Sequence, residues 1–268
     1  MNIYRRAVLF LSRRKGKSLL LFLIFFLVSL LLLTCLSILD GTQEAEADLR
    51  SRIGAAFYIR PYARLTLEEG GITDAAALVI SQESIEQIID AAGDLLRSYN
   101  TEHYGYAKSS QLHFLAGAGD NADSNMGQVT AVRDSSLLDV FREEEYTLTA
   151  GRHIRPEDVN KILISAELAA ENNLSVGDRI TLTHAGLGTL NGEYTDTIPQ
   201  KTAYAQAEII GIFQPPESSD SADSPTAARA VNHIYSDSSL LIQLQEQEPG
   251  LYEGEIAFYI SDPLALED

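Results

Sequence analysis

The sequence predicts an α+β protein, with one N-terminal transmembrane helix and its stalk, followed by an extracytoplasmic mixed α/β domain of two subdomains. Three observations support this prediction. An uncharged run of 21 residues spans positions 19–39. The chain is basic before that run and strongly acidic after it. Beyond it, short patterns typical of strands alternate with patterns typical of helices, which indicates an α/β layer.

The apolar run has the length and composition of a membrane span. Seventeen of its 21 residues are Leu, Ile, Val or Phe. At about 1.5 Å per residue a helix of this length covers roughly 31 Å, which matches a hydrocarbon core of about 30 Å. We therefore predict a transmembrane helix over residues 19–39, with a helical stalk over residues 40–53.

The charge on the two sides of the run predicts its orientation. No acidic residue precedes Asp40, whereas the segment 1–18 carries six basic residues, namely Arg5, Arg6, Arg13, Arg14, Lys15 and Lys17. The positive-inside rule then places residues 1–18 in the cytoplasm and the rest of the chain outside. These basic residues either only set the topology or also contact a partner subunit or anionic headgroups.

Two processing alternatives compete with an uncleaved anchor. Ala45-Glu46-Ala47 resembles a signal-peptidase site, and Leu32-Leu33-Thr34-Cys35 is close to a lipoprotein cleavage box. The apolar run is longer than the 7 to 15 residues usual in signal peptides, which favours the anchor.

Composition limits the class of protein and its compartment. After the apolar run, 14 Lys and Arg face 38 Asp and Glu, and such a surface excludes nucleic-acid binding. The only cysteine, Cys35, lies inside the run, so the domain has no disulfide. These features indicate a bacterial cell membrane protein rather than a eukaryotic secreted one.

The domain after the stalk covers residues 54–268. Its first half begins with a strand at Ala55–Arg60, which ends before Pro61. An acidic connection is predicted at Thr66–Ala77, and apolar residues at intervals of three and four predict a helix over Ser84–Tyr99, with Ser84 and Gln87 as a capping box. Strands follow at Tyr104–Leu115 and Val129–Val132, separated by turns between Gly117 and Gly127.

The second half has shorter elements. A strand at Lys161–Ile164 leads into a helix from the cap Ser165 to Asn173, and a turn at Gly177-Asp178 leads into a strand at Arg179–Thr183. A strand at Tyr204–Phe213 precedes a Ser- and Asp-rich flexible loop, residues 214–230. Asn232–Gln247 is predicted as a helix or strand, and Glu255–Ile260 as the last strand.

No catalytic, cofactor-binding or metal-binding set is predicted. The five histidines lack the spacing of zinc ligands, and no Gly-x-Gly run continues into a phosphate-binding loop. The acidic run Glu143-Glu144-Glu145 is interpreted as a solvated loop. No nucleophile-elbow motif is present, so we predict that the chain is not itself an enzyme.

Several segments occur in an order that resembles a known family. A Gly151-Arg152 turn is followed by Ile162-Leu163-Ile164-Ser165, by Val176-Gly177-Asp178 and by a strand that contains Gly211. This order, together with the Arg-rich segment before the first membrane helix, resembles MacB-type, or FtsX-like, ABC transporter permeases and their extracytoplasmic core domain. From the residue types, Gly151 and Gly177 are expected in turns with unusual backbone angles, and Asp178 is expected to bond the turn backbone.

The resemblance implies a permease subunit with four membrane helices and the core domain between the first two. It also implies an ABC ATPase as partner and a second copy or paralogue of the permease. ATP hydrolysis in the ATPase would then be coupled to extracytoplasmic movement for export or release of a substrate. Since no second apolar run of about 18 residues follows, the chain is interpreted as a fragment or an incomplete reading frame.

Two hypotheses from other classes remain open. The first is a stand-alone single-span binding or sensory module. The second is an anchored hydrolase, which would need a nucleophile and a base brought together by the fold.

Overall fold

The computed structural model describes residues 15–53, 55–61, 63–68, 71–77, 79–120, 124–197, 203–216, 221 and 223–260. The chain divides into two units, one that contains the N-terminal helix and one formed by residues 56–260.

Helix α1 (Lys15–Ile53) is continuous over 39 residues. Its segment Leu19–Leu39 is long and apolar enough to cross a membrane, and none of it is buried within the protein. Thr34 donates its hydroxyl hydrogen to main-chain oxygens of the preceding turn, at 2.9 Å from Leu31 O and 3.1 Å from Leu30 O. The Thr34 hydroxyl is therefore satisfied within the helix.

The described part of the second unit contains fifteen strands and four α-helices. The strands are β1 (Ala55–Ile59), β2 (Ala63–Glu68), β3 (Gly71–Ala77), β4 (Ile80–Ser81), β5 (Leu96–Lys108), β6 (Gly127–Val132), β7 (Thr147–Gly151), β8 (Lys161–Ser165), β9 (Arg179–Ala185), β10 (Leu187–Leu190), β11 (Glu193–Asp196), β12 (Tyr204–Gln214), β13 (Ile234–Asp237), β14 (Leu251–Tyr252) and β15 (Ile256–Ile260). The helices are α2 (Gln82–Ala92), α3 (Asp139–Arg142), α4 (Ala166–Asn172) and α5 (Ser238–Gln245).

Nine strands form one sheet in the order β1-β15-β5-β6-β13-β8-β12-β7, and β9 pairs with both β12 and β5. The pairs β6–β13 and β8–β12 are parallel, whereas the antiparallel pairs are β5–β6, β5–β9, β5–β15, β7–β12, β8–β13 and β9–β12. Because β9 links β12 to β5, the sheet curves strongly. It runs through the whole unit, so no boundary between the two predicted subdomains is shown.

Alternate residues of the strands enter different cores. Ile234 belongs to a core with Leu240, Leu241 and Leu244 of α5, and Leu168 of α4 belongs to the same core. The next residue, Tyr235, belongs to a second core with Phe141 of α3, Tyr146 and Phe213. Since neighbouring strand residues point to opposite faces, α5 and α3 cover opposite faces of the sheet.

The helix predicted over Ser84–Tyr99 is too long. α2 ends at Ala92, Gly93 adopts φ +50°, and Leu96–Tyr99 begin β5, where Tyr99 pairs with Phe258 of β15. The N-cap is Ser81, whose hydroxyl accepts a hydrogen bond from the Ser84 main-chain N at 3.2 Å, so the cap predicted at Ser84 is also wrong. Pairing with a distant strand outweighs the local helical pattern here.

Other predicted bounds are corrected as well. Most of the supposed connection Thr66–Ala77 lies in the antiparallel hairpin β2–β3. The strand predicted at Tyr104–Leu115 begins earlier and ends at Lys108, although Leu112 and Phe114 beyond it are buried.

The predicted flexible loop 214–230 is only partly a loop. Gln214 belongs to β12, and Thr226 and Ala227 are buried in a 3₁₀ turn. The Asp120 carboxylate accepts a hydrogen bond from Thr226 N at 2.9 Å and holds this turn in place. Residues 217–220 and 222 of the loop lie outside the described residues.

The elements from residue 161 to 185 agree well with the sequence. Ser165 caps α4, and its hydroxyl accepts a hydrogen bond from Leu168 N at 3.0 Å. Asn173 ends α4 in the left-handed region at φ +53°, and β9 follows the Gly177-Asp178 turn. The segment predicted as helix or strand, Asn232–Gln247, contains both, β13 and then α5.

Candidate functional site

The predicted topology and partner-contact residues lie at the start of the chain. Arg5, Arg6, Arg13 and Arg14 are outside the described residues, and Lys15 is the first residue of α1. Lys17 lies in the first turns of α1 and is exposed.

The predicted motif residues Gly151, Arg152, Gly177, Asp178 and Gly211 converge on the second half of β12, which we call the motif hub. The Gly177 N–H donates to Ile209 O at 2.7 Å, and the Ile209 N–H donates to Asp178 O at 2.9 Å. From the other side, Arg152 N–H donates to Ile210 O at 2.9 Å, and Gly151 pairs with Gly211. Segments 60 residues apart in sequence thus share one short stretch of strand.

Glycine is required at two hub positions because main chains approach closely. Gly151 has φ +77°, and a Cβ there would lie 2.1 Å from Ile210 O. A Cβ at Gly211 would lie 2.6 Å from Arg152 O. Gly211 also follows an irregularity in the β8–β12 register, where the residue before it, Ile210, has no partner in β8.

The Arg152 side chain holds the loop that follows β7. Its two terminal nitrogens each donate to a different oxygen of Asp158, both at 2.7 Å, and Asp158 also accepts from Arg155 N at 2.9 Å. The hydrogen bond from Arg152 is the main cause that holds the pKa of Asp158 below its ordinary value. This two-pronged pair stabilises residues 152–158 and leaves neither carboxylate oxygen free.

The Val-Gly-Asp turn is also structural. Gly177 adopts φ +99°, and the Asp178 carboxylate accepts a hydrogen bond from Ser175 N at 2.8 Å. Val176 is exposed at the tip of the turn. The turn angles and the carboxylate bond agree with expectation, and these groups form no arrangement for chemistry.

A polar groove of about 310 Å³, which no sequence pattern indicated, lies on the sheet face of Tyr235. It is lined by residues from six different elements or their ends, among them Arg60, Glu102, Tyr104, His233 and Glu255. Arg60 pairs with Glu255, and the Tyr104 hydroxyl donates to Glu102. Because these residues are up to 195 positions apart, only the tertiary fold brings them together.

Burial controls the charges in this groove. It raises the pKa of the Glu102 carboxyl, although the hydrogen bond from Tyr104 opposes the rise. Burial also lowers the pKa of His233 to about 4, so its imidazole is neutral at pH 7. Partial desolvation, together with the hydrogen bond to Glu102, holds the pKa of the Tyr104 hydroxyl far above its ordinary value, so this group stays protonated at pH 7. The groove thus combines acidic, aromatic and neutral imidazole groups.

Two hydroxyl–histidine pairs bear on the hydrolase hypothesis. Thr130 Oγ1 lies 2.7 Å from His233 Nε2, and Ser135 Oγ lies 3.0 Å from His153 Nδ1. Ser135 is fully buried, and its hydroxyl already accepts from Ile154 N. Among the described residues, no carboxylate is hydrogen-bonded to either imidazole, so neither pair forms a nucleophile–base–acid relay.

Within the part of the chain that the structure describes, no group of three or more His, Cys, Asp or Glu side chains could hold a metal ion. The polar groove is lined by three carboxylates, and each has a partner: Tyr104 donates to Glu102, Arg60 pairs with Glu255, and Arg142 pairs with Asp139.

No protein-family model matches the chain. The chain is 24% identical over 249 residues to YclI, an uncharacterised ABC transporter permease of Bacillus subtilis (strain 168), and this match covers 82% of the chain and 48% of YclI. The chain therefore spans about half the length of this relative.

Among solved structures, the chain is similar to a crystal structure of a domain of a presumed permease protein from Porphyromonas gingivalis. The identity is 16% and the TM-score 0.31, and the match covers 66% of each chain. At this TM-score the two folds are not shown to be the same. The similarity to an ABC transporter permease therefore comes from the sequence.

Proposed function

We propose that this chain is the N-terminal part of a permease subunit of an ABC transporter, of the MacB or FtsX-like type. One observation carries the proposal, namely the similarity to an ABC transporter permease over 82% of the chain. The long apolar segment Leu19–Leu39 supports it, because a permease must be held in a membrane.

In this proposal the segment 1–18 is cytoplasmic and the acidic domain lies outside the cell membrane. The six basic residues before Leu19 and the excess of acidic residues after Leu39 support this orientation. Helix α1, continuous to Ile53, is long enough to extend beyond the membrane and to act as a lever.

ATP hydrolysis would take place in a separate ABC ATPase and not in this chain. A second permease copy or a paralogue would complete the transporter. Closure of the paired ATPases would move α1, and the movement would change the extracytoplasmic domain so that a substrate is exported or released. The motif hub supports a mechanical role, because its hydrogen bonds and ion pair stabilise a rigid structure around β12.

The proposal is tested by affinity purification of the tagged native protein from its own membranes in mild detergent. We expect an ABC ATPase to co-purify and its ATP hydrolysis rate to change when the permease is present. Arg13→Gln with Arg14→Gln should lower ATPase recovery if the basic segment contacts it, whereas Arg97→Gln in the exterior domain should not. Recovery of the intact protein without any ATPase would contradict the proposal and favour a single-span binding or sensory module.

A further inference from the structure

The parallel strands β6 and β13 end side by side, and the chain then leaves them towards opposite faces of the sheet. Val132 is the register partner of Asp237, the last residue of β13. After β6 the chain reaches α3, whose Phe141 lies in the core of Tyr235, whereas β13 leads directly into α5, whose leucines lie in the core of Ile234. Where adjacent parallel strands diverge in this way, a crevice opens at their carboxyl ends, and such crevices are common ligand sites.

A cleft of about 340 Å³ lies at this point, and we call it the arginine cleft. Arg133, the first residue after β6, and Arg155, in the loop before β8, both line it. Ser238 and Ser239 of the first turn of α5 line it as well. The cleft is separate from the polar groove, and the two have no lining residue in common.

Neither of the two arginines forms an ion pair in the part of the chain that the structure describes, although the protein is strongly acidic. The chain has 38 Asp and Glu against 20 Lys and Arg. Yet among the described residues no carboxylate lies within 4.0 Å of the guanidinium nitrogens of Arg133 or Arg155. Two arginines therefore line one cleft, and among the described residues neither forms an ion pair there.

The carboxylates that do line the cleft are already occupied by other donors. Asp158 is bound by Arg152 through both oxygens. Asp237 accepts hydrogen bonds from Lys161 N at 2.6 Å and from Ser239 N at 3.0 Å. The oxygens of both carboxylates thus already accept hydrogen bonds from other groups, and neither carboxylate is paired with the guanidinium of Arg133 or Arg155.

Arg133 is also held in position. Its guanidinium carbon lies 4.3 Å from the centre of the Tyr99 ring, and its Nη1 donates to Tyr99 O at 3.3 Å. Tyr252 lines the cleft too, and its hydroxyl donates to Gln82 Oε1 at 3.0 Å. A fixed guanidinium beside aromatic rings loses little conformational entropy when it binds an anion.

We propose that the arginine cleft binds the carboxylate or phosphate group of a small organic molecule, through Arg133 and Arg155, with Tyr99 and Tyr252 beside the rest of the molecule. Both anions match the planar fork of a guanidinium, and the volume suits a small molecule. This inference does not depend on the proposed transport function.

The test is isothermal titration calorimetry of the full chain in detergent, at constant ionic strength in chloride. The probes are inorganic phosphate, phenyl phosphate and benzoate. We expect saturable binding of phosphate probes, of benzoate or of both, and the pattern assigns the site to phosphate or to carboxylate. Arg133→Gln and Arg155→Gln should each raise the Kd about tenfold, since each removes a charge-assisted hydrogen bond. Arg97→Gln, which removes an exposed charge that does not line the cleft, should leave the Kd unchanged.

The proposal is overturned if no probe binds saturably to the wild-type chain. It is also overturned if both cleft variants bind as the wild type does, or if Arg97→Gln weakens binding as much as they do. Should Arg133→Gln unfold because Tyr99 loses its contact, Arg155→Gln decides the question. Circular dichroism melting of each variant identifies that case.

Discussion

The motif hub and the arginine cleft both include residues of the loop 152–158, and they differ in how their charges are used. In the hub, Arg152 binds both oxygens of Asp158. In the cleft, Arg155 from the same loop has no carboxylate within 4.0 Å among the described residues. The residues that are recognisable in the sequence are thus saturated within the fold, whereas the available charges belong to no motif. A motif that identifies a family need not mark a binding site.

The largest expected effect is on stability. It distinguishes a glycine that lies against a neighbouring main chain, Gly151, from a glycine in an open turn, Gly177. Gly151→Ala should destabilise the protein by about 3 kcal/mol or more, because its Cβ would lie 2.1 Å from Ile210 O at φ +77°. Gly177→Ala is the matched control, since it also has positive φ but no atom within 4 Å of an added Cβ, and should cost only about 1 kcal/mol. Thermal or urea unfolding of the full chain in detergent measures both, and equal losses would contradict the account of the hub.

The next effect is a loss of stability as the pH falls. It distinguishes the polar groove from the hub, because the two lose stability over different pH ranges. The pKa of His233 is lowered to about 4 from 6.5, so the unfolded chain binds this proton first as the pH falls. Stability should therefore decrease from about pH 6.5 to about pH 4, by on the order of 2 kcal/mol. His233→Gln should flatten this part of the pH profile, and an unchanged slope would show that His233 is not desolvated.

The hub has a lower acid window. The pKa of Asp158 lies below its ordinary 3.8, mainly because Arg152 donates to it, so its stabilising contribution is present above that value and is lost as the pH falls through the lowered pKa. Asp158→Asn should cost about 1 kcal/mol at pH 7, reduced because Arg152 is 42% exposed. Asp178→Asn, at an exposed turn, is the control with the smaller expected loss. Chemical unfolding at pH 7 compares them, and a neutral Asp158→Asn would contradict the role given to the pair.

The smallest expected effect on stability is at the cleft. Arg155→Gln should change the free energy of unfolding by less than about 0.5 kcal/mol, because its guanidinium has no ion pair in the described structure. The same unfolding measurement checks this. A loss comparable to that of Asp158→Asn would show that Arg155 is part of the hub's network, and the distinction between the two regions would disappear.

Local signals predicted much of the fold. The cap Ser165, the helix end at Asn173 and the turn at Gly177-Asp178 were all recognisable, because a cap or a turn is determined by a few adjacent residues. The end of α2 was not. Leu96 and Tyr99 continue a helical spacing, but they pair with Ile260 and Phe258, about 160 residues away, and no local pattern shows such a partner.

The candidate sites were less predictable for the same reason. Arg133 and Arg155 are ordinary basic residues in the sequence, and their lack of a carboxylate partner depends on every acidic side chain that the fold brings near. The polar groove likewise joins Arg60 to Glu255. The hub was partly predictable, because positive φ at Gly151 and Gly177 has a local cause, but its convergence on Ile209 and Ile210 was not.

The central proposal is that α1 anchors an acidic domain outside the cell membrane. Cysteine labelling tests it most directly, because Cys35 is the only native cysteine and can be replaced by alanine. In that background, Leu190→Cys introduces a thiol at a position that is 61% exposed in the domain, and Lys17→Cys introduces one before the apolar segment. With a membrane-impermeant maleimide on spheroplasts, we expect Leu190→Cys to be labelled at once and Lys17→Cys only after lysis. Labelling of Lys17→Cys before lysis, or of Leu190→Cys only after it, would contradict the claim.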